Sequence, residues 1–179
     1  MIRLKSFKSK LVLSFVALLV IPFAFIYLNL DRKLEDNALE DIKSSLVKQA
    51  ALIENQLGAD HSTARNRDAL DSIVKSLSAK VLTRISIIDP DGIVLADSDR
   101  PKEEVLSMEN HGQRPEVRAA MNGAIGSEIR YSSTLRINML YIAVPVKQGN
   151  NIRAVLRLAL PLDRIKAILA TTRHTILLS

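Results

Sequence analysis

The sequence contains no cysteine and no tryptophan, and only 4% of its 179 residues are aromatic. Without cysteine, neither disulfides nor thiolate-bound metals can hold the fold together, so a hydrophobic core must stabilise it. The shortage of aromatic rings argues against a platform on which bases or sugars stack. The length allows one membrane anchor and one domain of ordinary size, with no room for an additional catalytic domain.

Negative charge is absent from the N-terminal part of the chain. The net charge is +6, but four of the 25 basic residues lie within residues 1–10 and all 19 acidic residues come after residue 30. From Asp31 onward, 21 basic residues are interspersed with 19 acidic ones, a net charge of +2. Because the basic residues there form no stripe, we expect no nucleic-acid partner.

Residues 11–30 form an uncharged apolar run. At about 1.5 Å per residue, a helix of this length crosses about 30 Å of hydrocarbon, and a membrane helix tolerates Pro22. A cleaved signal peptide is the alternative, but the following sequence LDRKLEDN offers no small-residue cleavage site. We therefore predict a retained transmembrane helix, with residues 1–10 as a cytoplasmic basic tail and the rest of the chain outside.

A long helix is predicted to continue outward from the membrane to about Leu57. Its apolar residues recur every three or four positions, at Leu34, Ala38, Ile42, Leu46, Ala50, Ile53 and Leu57. Leu39, Ile42, Leu46 and Ile53 also fit a heptad seam. The apolar stripe predicts that this helix packs against the domain core. The heptad seam predicts in addition that two copies of the chain pair through this helix as a homodimer.

The rest of the chain predicts an α+β fold with an antiparallel sheet. After the polar run ADHSTARNR, a second helix covers Leu70 to Val81, and RISIID-PDG-IVLAD reads as a β-hairpin. A polar loop from Asp99 to Gln113 precedes a short helix in PEVRAAMNG. Three further strands are predicted around GSEIRYSS, INMLYIAVPV and IRAVLRLAL.

Residues 162–179 return to helical spacing and become apolar at the end. We interpret them as an exit helix leading into a second, truncated membrane crossing. The alternative is a short amphipathic C-terminal helix.

Metal and catalytic chemistry find little support. Asp89, Asp91 and Asp97 lack the glutamate that closes a calcium loop, and turn chemistry explains them better. Glu103, Glu104 and Glu109 are too loosely spaced for a dedicated cation site. His61 fits a solvated loop. We expect no metal, no cofactor and no enzymatic activity in this chain, which lacks a glycine-flanked serine and a metal-spaced histidine cluster.

Two stretches carry a family resemblance: IIDPDGIVLADSD, and MENHGQRPEVRAAMNGAIGSEIRYSSTLRINMLYIAVPV. They resemble the extracytoplasmic PDC, or single Cache, sensor domains of bacterial receptors, and more specifically phosphate-regulon-type sensor histidine kinases of the PhoR and PnpS group. The resemblance implies a PAS-like five-stranded antiparallel sheet over residues 31–161, behind a long membrane-proximal helix. It also implies a bacterial plasma-membrane receptor that continues through a HAMP linker into a dimeric histidine kinase. His174, in RHTILL, lacks the context of a phosphoacceptor.

A ligand pocket in this fold class lies between the sheet and the elements that cover one face. Arg114 and Arg130 could hold a carboxylate or phosphate of a small anionic ligand. The other candidate ligand-binding residues are His111, Tyr131, Ser132, Ser133 and Tyr141. The alternative interpretation places Arg130 on the solvent face, packs both tyrosines in the core and pairs Arg114 with Glu109 or Glu116.

These patterns favour a signal-sensing module of a sensor histidine kinase that transmits a stimulus through paired membrane helices. The same module could serve a chemoreceptor or a cyclic-dinucleotide enzyme. It could also be an autonomous membrane-tethered binding protein or read a partner protein.

Overall fold

The computed structural model describes residues 7–58, 67–132 and 135–165. Two compact units divide the chain, residues 1–40 and residues 41–179. Helix α1 spans Phe7–Gly58 and includes Pro22 without ending there. Within it, the window Ser9–Ile26 is long and apolar enough to cross a membrane, and none of it is buried against other parts of the protein. This window falls largely within the predicted transmembrane run of residues 11–30.

The second unit contains a five-stranded antiparallel sheet with strand order β2-β1-β5-β4-β3. The elements that follow α1 are α2 (Arg67–Val81), β1 (Arg84–Ile88), β2 (Val94–Asp97), α3 (Lys102–Val105), α4 (Pro115–Met121), β3 (Gly126–Ser132), β4 (Ile137–Gln148) and β5 (Asn151–Pro161). The predicted α+β class, the hairpin and the three later strands are confirmed.

Side-chain hydrogen bonds stabilise the turn of the β1–β2 hairpin. The Oδ1 atom of Asp89 accepts from the backbone N–H groups of Asp91 at 3.0 Å and Ile93 at 2.8 Å. Gly92 has a φ of +86°, a conformation that side chains with a Cβ rarely adopt. Asp89 thus serves the turn, as the sequence predicts.

The sheet buries two different faces. Helix α4 packs on β3, β4 and β5, and we call the side that it covers the α4 face. Its core residues are Ile88, Val94, Val105, Val117, Ala120, Ala143 and Val155. The opposite face carries buried aliphatic side chains, among them Ile85, Ile87, Leu140, Ile142, Leu156 and Leu158. Helix α2 lies beside β1 and β2.

The long helix contributes to the domain core, as its apolar stripe predicts. Leu46, Ala50 and Ile53 are almost fully buried. Two residues of the predicted heptad seam, Leu46 and Ile53, are therefore occupied within one copy of the protein. A dimer through this helix would use a different face.

One prediction is wrong in detail. The segment from Asp99 to Gln113 is not entirely loop, because Lys102–Val105 form a short helix. Pro101 precedes it with a φ of −59°, which suits a helix start, and Val105 is buried in the core. The exit helix begins at Leu162, and its residues after Ile165 lie outside the described part of the chain, as do His61 and His174.

Candidate functional site

A row of polar side chains crosses the α4 face of the sheet. Side chains alternate between faces along a strand, and directly paired residues share a face. Ser86 on β1 pairs with both Asp97 on β2 and Arg157 on β5, so these three lie together. Tyr141 on β4 and Arg130 on β3 continue the row. Tyr141 pairs with Glu128, which is two positions from Arg130, and Arg130 pairs with Met139, which is two positions from Tyr141, so both side chains lie on the same face.

The β1–β2 end of this row is satisfied internally. Nε of Arg84 donates to both carboxylate oxygens of Asp97, at 3.0 and 3.2 Å, and the Ser86 hydroxyl donates to the same carboxylate at 2.7 Å. The backbone N–H of Asp99 donates to it as well, at 3.0 Å. Asp97 is fully buried. This end of the row stabilises the hairpin and leaves little capacity to bind a ligand.

Arg157 lies at the centre of the row and is only 2% exposed. Its Nη2 donates to the Ser86 hydroxyl at 3.2 Å, and its Nη1 lies 3.7 Å from Oε1 of Glu116, too far for a hydrogen bond. No described residue accepts a hydrogen bond from its Nε or Nη1. Burial lowers the pKa of Arg157 to about 10, while the nearby Glu116 opposes the shift. The guanidinium therefore remains charged at neutral pH with unused donors.

Two guanidinium groups lie over the ring of Tyr141. The central carbon of the Arg130 guanidinium is 4.1 Å from the ring centroid, and that of Arg157 is 5.1 Å away. Both distances fall within the range of cation–π attraction. Tyr141 is 3% exposed. Attraction to the ring thus offsets part of the repulsion between the two like charges.

Glu116 provides the buried negative charge of the site and is 0% exposed. Its Oε1 accepts from Nη2 of Arg130 at 3.3 Å. Within the described residues, its Oε2 has no hydrogen-bond donor. Helix α4 can lie this close to β3 because residue 126 is glycine: a Cβ there would be 2.1 Å from the carbonyl oxygen of Glu116.

The segment that precedes α4, residues 99–113, is fastened to the hairpin turn, and we call it the connector. The Asn110 side chain donates to the carbonyl of Asp91 and accepts from the N–H of Gly112, both at 2.7 Å. The N–H of His111 donates to the carbonyl of Gly92, also at 2.7 Å. These hydrogen bonds connect the ENHG segment of the sequence to the PDG turn and fix the position of one relative to the other.

His111 is a buried neutral imidazole at the edge of the site. It is 3% exposed, and its Nδ1 lies 2.8 Å from the carbonyl oxygen of Glu109. Because a carbonyl only accepts, Nδ1 carries the proton and Nε2 is left as an acceptor. Burial lowers its pKa to about 3, with further contributions from the charges of Arg157 and Arg114.

Arg114 completes the cationic group from the side of the connector. It forms an ion pair with the exposed carboxylate of Glu109. Burial lowers its pKa, and the positive charge of Arg130 adds to the shift. Its Nε has no acceptor among the residues that the structure describes. The pairing with Glu109 agrees with the alternative interpretation of the sequence.

Arg114, Arg130 and Arg157 together carry three positive charges, against the buried carboxylate of Glu116 and the exposed carboxylate of Glu109 that pairs with Arg114. Each arginine has a buried Nε that donates to no described residue, and Oε2 of Glu116 is likewise unpaired. Unpaired buried polar groups are uncommon in native proteins and are often paired by a ligand or water. We call the three arginines and Glu116 the arginine–glutamate cluster. Its net charge and free N–H donors are suited to an anionic group.

The predicted site residues separate into two sets. His111, Arg114, Arg130 and Tyr141 come together. Tyr131 does not join them, because it follows Arg130 in the strand and points to the other face, where it is 57% exposed. Ser132 is buried, and its hydroxyl accepts a hydrogen bond from the N–H of Leu135 at 3.3 Å. Ser133 lies outside the described residues.

Sequence reasoning missed Arg157 and considered Glu116 only as a partner for Arg114. The signal for Arg157 was present, since it interrupts the apolar run AVLRLAL. A charge in a strand that is buried on both faces needs a buried partner. Among the described residues, no group of three or more His, Asp or Glu side chains could hold a metal ion.

Comparison with solved structures shows sensor domains of the same fold. The Vibrio cholerae histidine kinase DctB sensor domain is 19% identical, with a TM-score of 0.61 over 79% of this chain and 58% of that one. The ligand-binding domain of the Campylobacter jejuni chemoreceptor Tlp3, in complex with L-valine, is 12% identical, with a TM-score of 0.63 over 77% and 60%. The Escherichia coli DcuS sensor domain is 15% identical, with a TM-score of 0.54 over 70% and 95%.

The chain spans about three fifths of the length of the DctB and Tlp3 structures. No curated protein matches it in sequence. Residues 36–161 match the family described as Single Cache-like, a range that covers the sheet, the connector and the C-terminal part of α1. The chain therefore belongs to the single Cache-like family of sensor domains.

Proposed function

We propose that this chain is the membrane-anchored, extracytoplasmic sensing region of a bacterial sensor histidine kinase and that it binds a small anionic ligand. The observation that supports a bound anion is the arginine–glutamate cluster on the α4 face. Its three guanidinium groups are held by the sheet and connector, yet each keeps a buried N–H without a described acceptor.

A carboxylate or phosphate group suits this arrangement better than a neutral ligand. Paired N–H donors from arginine bind such oxygens in a fixed geometry, and low solvent exposure strengthens the attraction. His111 and Tyr141 border the cluster. Nε2 of His111 would accept a hydrogen bond from a donor group elsewhere on the ligand, and the phenolic hydroxyl of Tyr141 would donate to the anionic group.

Ligand binding is testable on the full chain in detergent micelles. We would screen monocarboxylates, dicarboxylates, L-amino acids and inorganic phosphate by thermal unfolding and measure Kd for each hit by calorimetry. Arg157→Gln should weaken binding by about tenfold to a hundredfold, since a hydrogen bond to a charged group contributes about 1.5–3 kcal/mol.

Arg118→Gln is the matched control, because Arg118 is exposed on the same helix as Glu116. It should bind as the unmodified chain does. Arg130→Gln, at a half-buried position, provides a second test if Arg157→Gln does not fold. Failure of every anion to bind would contradict the proposal and favour a partner protein as the stimulus. Equal binding by folded Arg157→Gln would contradict the cluster as the binding site and place the anion elsewhere.

Transmission is proposed to run through two membrane helices, α1 and the helix that begins at Leu162. The Arg164 side chain donates to the carbonyl of Leu82 at 2.6 Å, which connects the start of the exit helix to the entry of β1. A change in the packing of the sheet could therefore reach the exit helix through this hydrogen bond.

The kinase output is supported by the resemblance to the PhoR and PnpS group, and it is tested by the coding sequence after codon 179. A HAMP linker and a kinase core would support it. A methyl-accepting domain or a cyclic-dinucleotide domain would replace it with one of the alternative outputs, and the sensing role would remain.

A further inference from the structure

Glu116 is the buried group that a simple anion does not explain. It lies within the cluster of three arginines, is 0% exposed and leaves Oε2 without a donor among the described residues. An anion bound to the guanidinium groups would place a second negative charge near this carboxylate. Repulsion between the two would offset part of the attraction.

The buried polar groups of the cluster that lack a hydrogen-bond partner are of two kinds, donors and an acceptor. Arg114, Arg130 and Arg157 have unused N–H donors, and Glu116 has an unused acceptor oxygen. Oε1 of Glu116 is already engaged by Arg130 at 3.3 Å and lies 3.7 Å from Nη1 of Arg157. Pairing all of them at once calls for a ligand that carries both an anionic group and a hydrogen-bond donor, and an ammonium donor also matches the negative charge of Glu116.

We infer that the ligand is a small zwitterion with a carboxylate and an ammonium group, the chemistry of α-amino acids, and that Oε2 of Glu116 receives its ammonium. This inference rests on the proposed function, because it assumes that the arginines bind the carboxylate. Glu116 is thereby a specificity-determining residue, while the arginines supply affinity for any carboxylate.

The sheet supports this division of roles. Glu116 is brought onto the arginines by the close approach of α4 to Gly126, and Arg130 and Arg157 are held from below by the Tyr141 ring. The ligand would replace contacts that are now long, such as the 3.7 Å separation between Arg157 and Glu116.

The test compares matched ligand pairs that differ only in the amino group: L-alanine with propionate, L-aspartate with succinate, and L-isoleucine with 3-methylpentanoate. Calorimetry on the full chain in micelles should show at least one amino acid binding about tenfold or more tightly than its deaminated partner. Glu116→Gln keeps the shape but removes the charge, so it should weaken amino-acid binding by about tenfold to a hundredfold and leave or improve carboxylate binding.

The outcomes separate the two proposals. If deaminated carboxylates bind as well as the amino acids, or if Glu116→Gln leaves amino-acid affinity unchanged, the zwitterion inference is wrong while the anion site stands. If none of these compounds binds, the zwitterion inference fails, and the anion site fails with it if inorganic phosphate does not bind either. Because the ligand pairs are compared on the unmodified chain, the result does not depend on whether the variant folds.

Discussion

The guanidinium of Arg130 lies over the ring of Tyr141, with its central carbon 4.1 Å from the ring centroid. This contact joins two neighbouring strands and fixes the position of the Arg130 guanidinium in the site. Arg157 approaches the same ring at 5.1 Å. Tyr141 thus acts as a common support for two positive charges in a buried layer.

Replacing this support tests its role. Tyr141→Leu removes the aromatic face and should lower the free energy of unfolding by about 1–3 kcal/mol, from lost packing and cation–π attraction. Tyr141→Phe keeps the face and should lose less. Urea unfolding of the full chain in micelles measures both, and equal losses would show that the hydroxyl, not the ring, is the stabilising part.

The buried imidazole of His111 makes stability depend on pH. Its pKa is about 3 in the folded protein against 6.5 in the unfolded chain, so below pH 6.5 the unfolded chain takes up a proton that the folded one does not. Stability should therefore be fully present above pH 6.5 and fall as the pH drops towards 3.

The control is His111→Gln, which cannot titrate in this range. The urea midpoint of the unmodified chain should decrease more steeply below pH 6.5 than that of the variant, when both are measured at the same ionic strength. Parallel curves for the two proteins would contradict the burial of a neutral histidine.

The close approach of α4 to β3 predicts an unusual sensitivity at Gly126. A Cβ there would lie 2.1 Å from the Glu116 carbonyl oxygen, so Gly126→Ala must displace the helix that carries Glu116. We expect a destabilisation of about 1–3 kcal/mol and a parallel loss of ligand affinity. Ser127→Ala, at the exposed next position, should change neither by more than about 0.5 kcal/mol.

A cysteine-free chain allows the proposed homodimer to be mapped by single cysteines along α1. Since Leu46, Ala50 and Ile53 are buried in the domain core, cysteines at these positions should crosslink poorly between copies. Efficient crosslinking in membranes should instead follow the exposed side, at positions such as Lys48 and Leu52. Crosslinking without helical periodicity would contradict a dimer through this helix.

Most of the fold could be predicted from local patterns. The Pro-Asp-Gly turn, the Pro115 start of α4 and the apolar stripe of α1 each depend on neighbours within a few residues in sequence. The helix at Lys102–Val105 was missed because its four residues are mostly charged, and its single anchor, Val105, is visible only once the core is assembled.

The site was only partly predictable for a different reason. Arg130 and Arg157 are 27 positions apart in sequence and meet only because β3, β4 and β5 are adjacent in the sheet. Tyr131 is a candidate because it lies in the polar stretch from His111 to Tyr141, although alternation along a strand sends it to the face opposite Arg130. Glu116 gains its importance from burial, which sequence alone does not show.

The Nε–H groups of Arg114, Arg130 and Arg157 are proposed to bind the anionic ligand. Nitrogen-15 NMR of arginine side chains in the full chain, recorded before and after addition of a compound that binds in calorimetry, observes these groups directly. The three Nε–H signals should shift, while those of exposed Arg118 and of Arg153, whose Nε donates to Gln148 at 2.9 Å, should stay in place. Shifts confined to other arginines would place the ligand elsewhere and contradict the claim.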